Sequence, residues 1–250
     1  MTNTALVHLM QTCNHLLVFT GAGVSTGSGI PDFRGPQGVW KTFQPVYYQD
    51  FMTDHAARVE YWSQKLHAFE AFSKARPNAA HRAVAELHAA GKLERCVTQN
   101  IDGLHQAAGL PREALVEVHG TATEVECQTC KARSAPAPHF EAFARTRTPP
   151  VCACGGWLKS ATVSFGQALR EEDLLNAYEA AQRCDLCVAL GSTLSVHPAA
   201  SIPLATAKRG VPYVIVNQGP TDQDGEACVT LRLEGDVGTI WPEAVRQALE

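Results

Sequence analysis

The chain has 250 residues, 45% apolar and 18% charged, with a formal net charge of −4 and nine cysteines. Such a length and apolar content can bury a full core without cross-links, which sets aside disorder for most of the chain. With 21 basic against 25 acidic residues, there is no general electrostatic pull toward nucleic acid or anionic lipid. The early apolar run around His15 to Phe19 is far shorter than the roughly 20 residues of a membrane span. The first Lys or Arg is Arg34, too late for the basic start of a secretory leader. A soluble, cytoplasmic protein is expected. An odd number of cysteines cannot form a fully paired framework, so the compartment is read as reducing.

Leu6, Leu9, Met10 and Cys13 recur at helical spacing, and the apolar run that follows ends at Thr20 in Gly21-Ala22-Gly23. The pattern predicts helix, buried strand and phosphate-type turn. Gly21 and Gly23 are the first two glycines of a dinucleotide fingerprint, with Thr26 standing where the third would be. Taken alone, this is equally an ordinary glycine turn. In the functional reading, its amides approach a pyrophosphate and a helix start at 24–28 adds donors. The loop 29–35 then sets Asp32, Phe33 and Arg34 where they could cover a bound dinucleotide.

Residues 46–76 are rich in aromatics and helix formers and read as a small helical insertion with its own core. Further buried strands are predicted at 94–98, 114–118, 185–191, 212–217 and 228–233, with helical patterns between several of them. This alternation predicts an α/β fold, a doubly wound, mostly parallel, Rossmann-like sheet. In such sheets the ligand crevice lies beyond the carboxyl ends of the strands. There the sequence places Thr98-Gln99-Asn100-Ile101-Asp102, His119-Gly120, Gly191-Ser192-Thr193 and Asn217-Gln218.

Cys127-x-x-Cys130 and Cys152-x-Cys154 match the two knuckles of a zinc ribbon, the second one residue short. Four thiolates would close a tetrahedron, so the metal is expected to be structural. The surrounding residues are turn-rich and show little regular periodicity. Cys184-x-x-Cys187 leads into an apolar run and reads as core, as do Cys13, Cys96 and Cys228. The resulting organisation is a sheet domain from 1–45, 77–120 and 161–250, a helical insertion at 46–76 and a zinc lobe at 121–160.

The run Gly21 to Gly35, Thr98-Gln-Asn-Ile-Asp-Gly-Leu-His105, His119-Gly120, the four cysteines, Gly191-Ser-Thr-Leu-Ser195 and Val216-Asn217 together closely resemble the sirtuin family, over essentially the whole chain. The resemblance implies an NAD-dependent protein lysine deacetylase. Such an enzyme transfers the acyl group of acyl-lysine to ADP-ribose and releases nicotinamide and O-acetyl-ADP-ribose. It implies His119 as general base, with Asn100 beside it. Gly21, Ala22, Gly23, Thr26, Gly191, Ser192 and Thr193 would hold the pyrophosphate end of NAD, and Asn217, Gln218, Asp236 and Val237 the adenosine end. Gln99, Asn100, Ile101 and Asp102 would hold the ribose and nicotinamide, with Phe33 and Arg34 covering them.

It further implies one structural zinc and a peptide segment at 160–166. There Val163 and Phe165, with Val196 opposite, would contact the substrate lysine. Val163 and Phe165 could instead simply finish a core strand. Family members that prefer acidic acyl groups carry a Tyr-x-x-Arg pair. The nearest counterpart here is Tyr61 with Gln64, which favours acetyl or another neutral acyl group. Acyl-lysine proteins are the expected partners, without direct nucleic acid or membrane binding. The alternatives are a mono-ADP-ribosyltransferase, a deacylase preferring longer acyl groups, a zinc-containing dehydrogenase and a non-catalytic NAD-binding adaptor.

Overall fold

The structure, a computed structural model, describes residues 4–32 and 44–250. The helix α1 (Thr4–Thr12) buries Leu6, Val7 and Met10 on one face. It leads into β1 (Leu16–Thr20), which is buried along its whole length. Both β2 (Leu93–Thr98) and β7 (Leu186–Leu190) pair with β1 in parallel, one on each side. β3 (Leu115–Glu117) lies outside β2, while β8 (Tyr213–Asn217) and β9 (Leu231–Glu234) lie outside β7. All five pairings of this six-stranded sheet are parallel. Strands covered on both faces read as unbroken apolar runs, and that made β1, β7 and β8 visible in the sequence.

The two faces carry separate cores. On one, α1, α4 (Ala79–Ala89) and α9 (Val237–Leu249) bury Leu6, Val84, Leu87 and Trp241 against Val18, Val188 and Val214. On the other, α7 (Glu171–Arg183) and α8 (Ser201–Ala207) cover Leu17, Phe19, Ala189 and Ile215. The doubly wound expectation is met. Cys184 and Cys187 are buried in this second core, as read.

Three local expectations are corrected. The last strand starts at Leu231 rather than 228, because Cys228 and Val229 belong to a turn in which the Val229 amide donates to Glu226 O at 3.0 Å. No α-helix starts at 24–28; the chain makes two short 3₁₀ turns, Ala22–Val24 and Thr26–Ser28, the second closed by Gly29 in the left-handed region. The lobe around the cysteines contains α6 (Ala137–Thr146), which begins at the proline-rich stretch read as turns. Proline suits the first turn of a helix, where its missing N–H costs nothing.

The insertion forms α2 (Tyr48–Thr53) and α3 (His55–Lys74). Beside it lies an antiparallel sheet of β4 (Gly120–Cys127), flanked by β5 (Arg133–Ser134) and β6 (Leu158–Thr162). Insertion and cysteine lobe share one core: Phe51, Tyr61 and Trp62 pack with Val125, Phe140, Phe143 and Leu158. The Trp62 ring meets Phe140 edge-on at 5.1 Å, and its Nε1 donates to Leu158 O at 3.2 Å. Trp62→Ala is therefore expected to cost about 3–5 kcal/mol of stability in denaturant unfolding. A cost below about 1 kcal/mol would show that the two pieces do not depend on a common core.

Candidate active site and metal centre

At the carboxyl end of β1 the chain turns through Gly21 and Gly23, whose amides donate to Leu190 O at 2.9 Å and Gly191 O at 2.8 Å. A Cβ on Gly23 would stand 2.7 Å from the Gly191 Cα, so this pair of loops closes only without side chains. The sequence assigned these amides to a phosphate; the structure gives them to the neighbouring loop. The glycines thus bring the ends of β1 and β7 together, and the loop surface they form borders a cavity of about 1170 Å³.

A buried polar network lies behind that surface. Asn100, 6% exposed, donates through Nδ2 to Gly21 O at 3.0 Å and to Ser25 Oγ at 3.2 Å. This fixes its amide orientation and leaves Oδ1 as the free acceptor. The Ser25 hydroxyl donates to Asp102 at 2.7 Å, so His81 Nε2, 3.3 Å away, must be the donor to Ser25. His81 Nδ1 is then the acceptor for the Asn78 amide in the capping box that starts α4. A neutral imidazole satisfies these two contacts, while Asn78 Oδ1, 3.0 Å from Nδ1, accepts from the Ala80 amide instead. Burial first, and Arg82 after it, lowers His81 to about 4 against the pull of Asp102; burial lowers the adjoining His105 to about 3.

His119 follows β3 at the edge of the same cavity. Its Nδ1 lies 3.1 Å from Gln99 O, which can only accept, so Nδ1 carries the proton and Nε2 presents a lone pair. Gly120, at φ +72°, lets β4 leave directly: a Cβ there would meet Ala161 O at 2.1 Å. The Val163 amide donates to His119 O at 2.8 Å, tying the end of β6 to the imidazole's own backbone. Gln99 also reaches across to Ser192 Oγ at 2.8 Å, and Ser192 in turn accepts from the Leu194 amide. The arrangement offers one oriented base, one oriented amide and a polar floor drawn from several strand ends.

The four cysteines of the small lobe converge. Their Sγ atoms all lie within 4.8 Å of one another, with Cys127 to Cys154 at 3.5 Å and Cys130 to Cys152 at 3.8 Å. Zinc–sulfur bonds of ≈2.3 Å in a tetrahedron separate sulfurs by about 3.8 Å, so the donor set fits Zn²⁺. The shortened knuckle closes through the turn in which the Gly155 amide donates to Cys152 O at 2.9 Å.

The description "Sir2 family" matches residues 21–198. The chain belongs to the Sir2 family. It is 44% identical over 236 residues to the NAD-dependent protein deacetylase of Rhodopseudomonas palustris, covering 94% of this chain and 92% of that one. It is 38% identical to the protein of the same name from Haloarcula marismortui, over 97% and 93% of the two chains. Among solved structures, a Sir2 protein with a p53 peptide and NAD+ superposes with a TM-score of 0.87 at 32% identity, over 98% of each chain.

Within this Sir2 fold, the cavity gathers nearly all the residues singled out from the sequence. Its lining includes Gly21, Ala22, Gly23, Thr26, Gln99, Asn100, Ile101 and His119. It also includes Gly191, Ser192, Thr193, Asn217, Gln218, Asp236 and Val237, together with Val163, Phe165 and Val196. Asp102 stands behind the lining, its carboxylate held by Ser25 and by the amide of Leu104, the first residue of α5 (Leu104–Ala107). Phe33 and Arg34 lie outside the described residues. The sequence reading missed Ser25 and His81. Nothing in the spacing of Asn78 and His81 points to a serine 56 positions away from the histidine.

Two predictions follow from this geometry. Cys154→Ser should reduce zinc to well below one equivalent per chain and lower the melting temperature, read by metal analysis and calorimetry. Retention of full zinc would exclude Cys154 as a ligand. The lowered pKa values of His81 and His105 mean that the unfolded chain binds more protons than the folded one below about pH 6.5. Stability is complete above that pH and falls as pH drops toward 4, by up to roughly 1.4 kcal/mol per pH unit for each histidine. Urea midpoints at pH 7 and pH 5 measure this, and equal midpoints contradict it.

Proposed function

We propose that the chain is an NAD-dependent protein lysine deacetylase, acting on acyl-lysine proteins in the cytoplasm. The observation that carries this reading is His119, which shares one cavity with Asn100 and the glycine loop and borders the extended segment after β6. The residues fit NAD: loops closed by glycine, polar strand ends and an open cavity beside them. When bound, NAD supplies an electrophilic ribose carbon and takes up the acyl group, leaving nicotinamide and O-acetyl-ADP-ribose.

The chain's own residues then have distinct tasks. The loop at 21–26 with Ser192 and Thr193 holds the pyrophosphate end, and Asn217, Gln218, Asp236 and Val237 the adenosine end. Asn100 Oδ1 and Gln99 orient the ribose next to Ile101 and Asp102, so that binding fixes the reacting geometry. His119 Nε2, held in the right tautomer by Gln99 O, accepts a proton from a ribose hydroxyl. Val163 and Phe165 supply backbone and apolar surface to an extended peptide, with Val196 facing them. Tyr48 already donates its amide to Phe165 O at 2.8 Å, steadying that segment. Strand-like pairing of this kind tolerates many peptide sequences. The cysteine lobe carries one structural zinc and anchors β4 and β6 beside the cavity.

His119→Ala should retain NAD binding and nicotinamide exchange while deacetylation falls by about 10²–10⁴-fold, the usual worth of a general base. The assay is mass spectrometry of O-acetyl-ADP-ribose with an acetyl-lysine peptide and NAD. A fully active variant would remove His119 from the mechanism. NADH formation in place of nicotinamide release would replace the proposed reaction with hydride transfer.

A further inference from the structure

Between β8 and β9 the chain runs through Asn217-Gln218-Gly219-Pro220, and all four residues line the cavity at the end read as holding adenosine. The ladder of the two strands stops at Asn217 and Glu234, so the carbonyls that follow need partners from elsewhere. β9 is the outermost strand of the sheet, and Arg232 on it supplies them. Its Nη1 donates to Asn217 O at 3.1 Å and to Leu233 O. Its Nη2 donates to Gly219 O at 2.6 Å and to Glu234 Oε2 at 2.8 Å, and its Nε to Asp224 Oδ1 at 2.7 Å. Each of the guanidinium N–H groups thus has an acceptor within the protein. Arg232 itself is not among the residues that line the cavity.

The groups around the guanidinium are tied to the same segment. Glu234 accepts from the Gly219 amide at 2.7 Å, and Asp224 accepts from the Thr221 amide at 3.0 Å and the Thr221 hydroxyl at 2.6 Å. Asn217 Nδ2 donates to Gln218 O at 3.2 Å and to Gly219 O at 2.9 Å. Gly219 O is therefore shared by Arg232 and Asn217, and that sharing fixes which way the Asn217 amide faces. The far end of the connection is anchored independently of Arg232. Tyr213 donates its hydroxyl to Gln223 at 2.8 Å, Gln223 donates to Ala200 O at 2.7 Å, and the Asp222 amide donates to Thr193 O at 2.9 Å. Residues 218–221 are left hanging on the Arg232 cluster.

We infer that Arg232 is a positioning residue for the nucleotide: it holds residues 217–221 in the shape that receives the adenosine end of NAD, without touching the ligand. The inference rests on the NAD-binding reading of the cavity. Losing the clamp frees the segment, and a ligand that needs the ordered form then binds more weakly in proportion to the time the segment spends disordered.

The test measures ADP-ribose binding to the whole chain by calorimetry, which needs no turnover. Arg232→Met should weaken binding at least about tenfold, the result of a segment ordered for a tenth of the time. KM for NAD should rise in step, while kcat and KM for an acetyl-lysine peptide at saturating NAD stay within about threefold. Amide hydrogen exchange should quicken over residues 218–221 and not in β8. Arg232→Lys keeps the charge without the planar fork, should weaken ADP-ribose at least about threefold, and carries the test if the methionine variant does not fold. Unchanged ADP-ribose affinity in a folded variant, or an equal loss in peptide and nucleotide parameters, overturns the role of Arg232 and leaves the NAD reading intact. Wild-type protein that binds no ADP-ribose overturns both.

Discussion

The backbone of Gly23 rests against the backbone of Gly191, and the site depends on that contact. β1 lies between β2 and β7, so the order of the sheet reverses around it. Loops leaving β1 and β7 would normally part at such a point and leave a crevice. Here the two loops touch at the base, with Gly21 and Gly23 amides given to Leu190 and Gly191 carbonyls, and the crevice opens above them. A side chain on either glycine would wedge the strand ends apart. Asn100, which donates to Gly21 O, and Gln99, which donates to Ser192, are both fixed by reference to this junction.

The junction also explains which parts of the molecule were legible in the sequence. Central strands buried on both faces have to be continuous apolar runs, and their tips must be polar or glycine, so both the sheet and the converging residues could be read without coordinates. The four-cysteine cluster was legible because thiolate geometry demands close spacing in pairs. α6 was not, since prolines at its start look like turn residues until Phe140 and Phe143 are seen facing Trp62. The glycine loop was misread as a helix start because glycine serves close backbone packing as readily as anion binding. Ser25 and His81 could not be paired, because their contact is made by the fold and not by local spacing.

The small lobe and the helical insertion are one structural unit in energetic terms, although the chain visits them separately. Trp62 reaches from α3 to the carbonyl of Leu158, and Phe140 and Phe143 from α6 close around it. Metal binding at the far end of β4 therefore supports the wall that α3 presents to the cavity. Cys127 and Leu158 are direct register partners across β4 and β6, and β6 runs from there to Thr162 beside His119. A structural ion can thus act on the cavity by holding the strand that ends beside His119, without contributing a ligand position of its own.

The two amines beside Tyr61 show how differently a strand end and a helix hold a lysine. Lys159 is almost fully buried yet satisfied, because Ser160 and Thr162 offer carbonyls at the point where β6 ends and its ladder partners run out. Its charge is tolerated for the sake of that strand end, and burial brings its pKa down to about 7. Lys65 has no such carbonyl among the described residues, and those of its own helix are taken by the i+4 amides. A mid-helix side chain must therefore find its partner outside its own helix's backbone, as Gln64 does in Gln44 O. Gln64 is bound to Glu60 and Gln44, and Glu126, the lobe's buried acid, is bound to two arginines, while Asp32 and Asp236 bring carboxylates to other parts of the cavity lining. A lysine at a strand end is thus a fastener, whereas one in mid-helix is held only by what other segments bring to it.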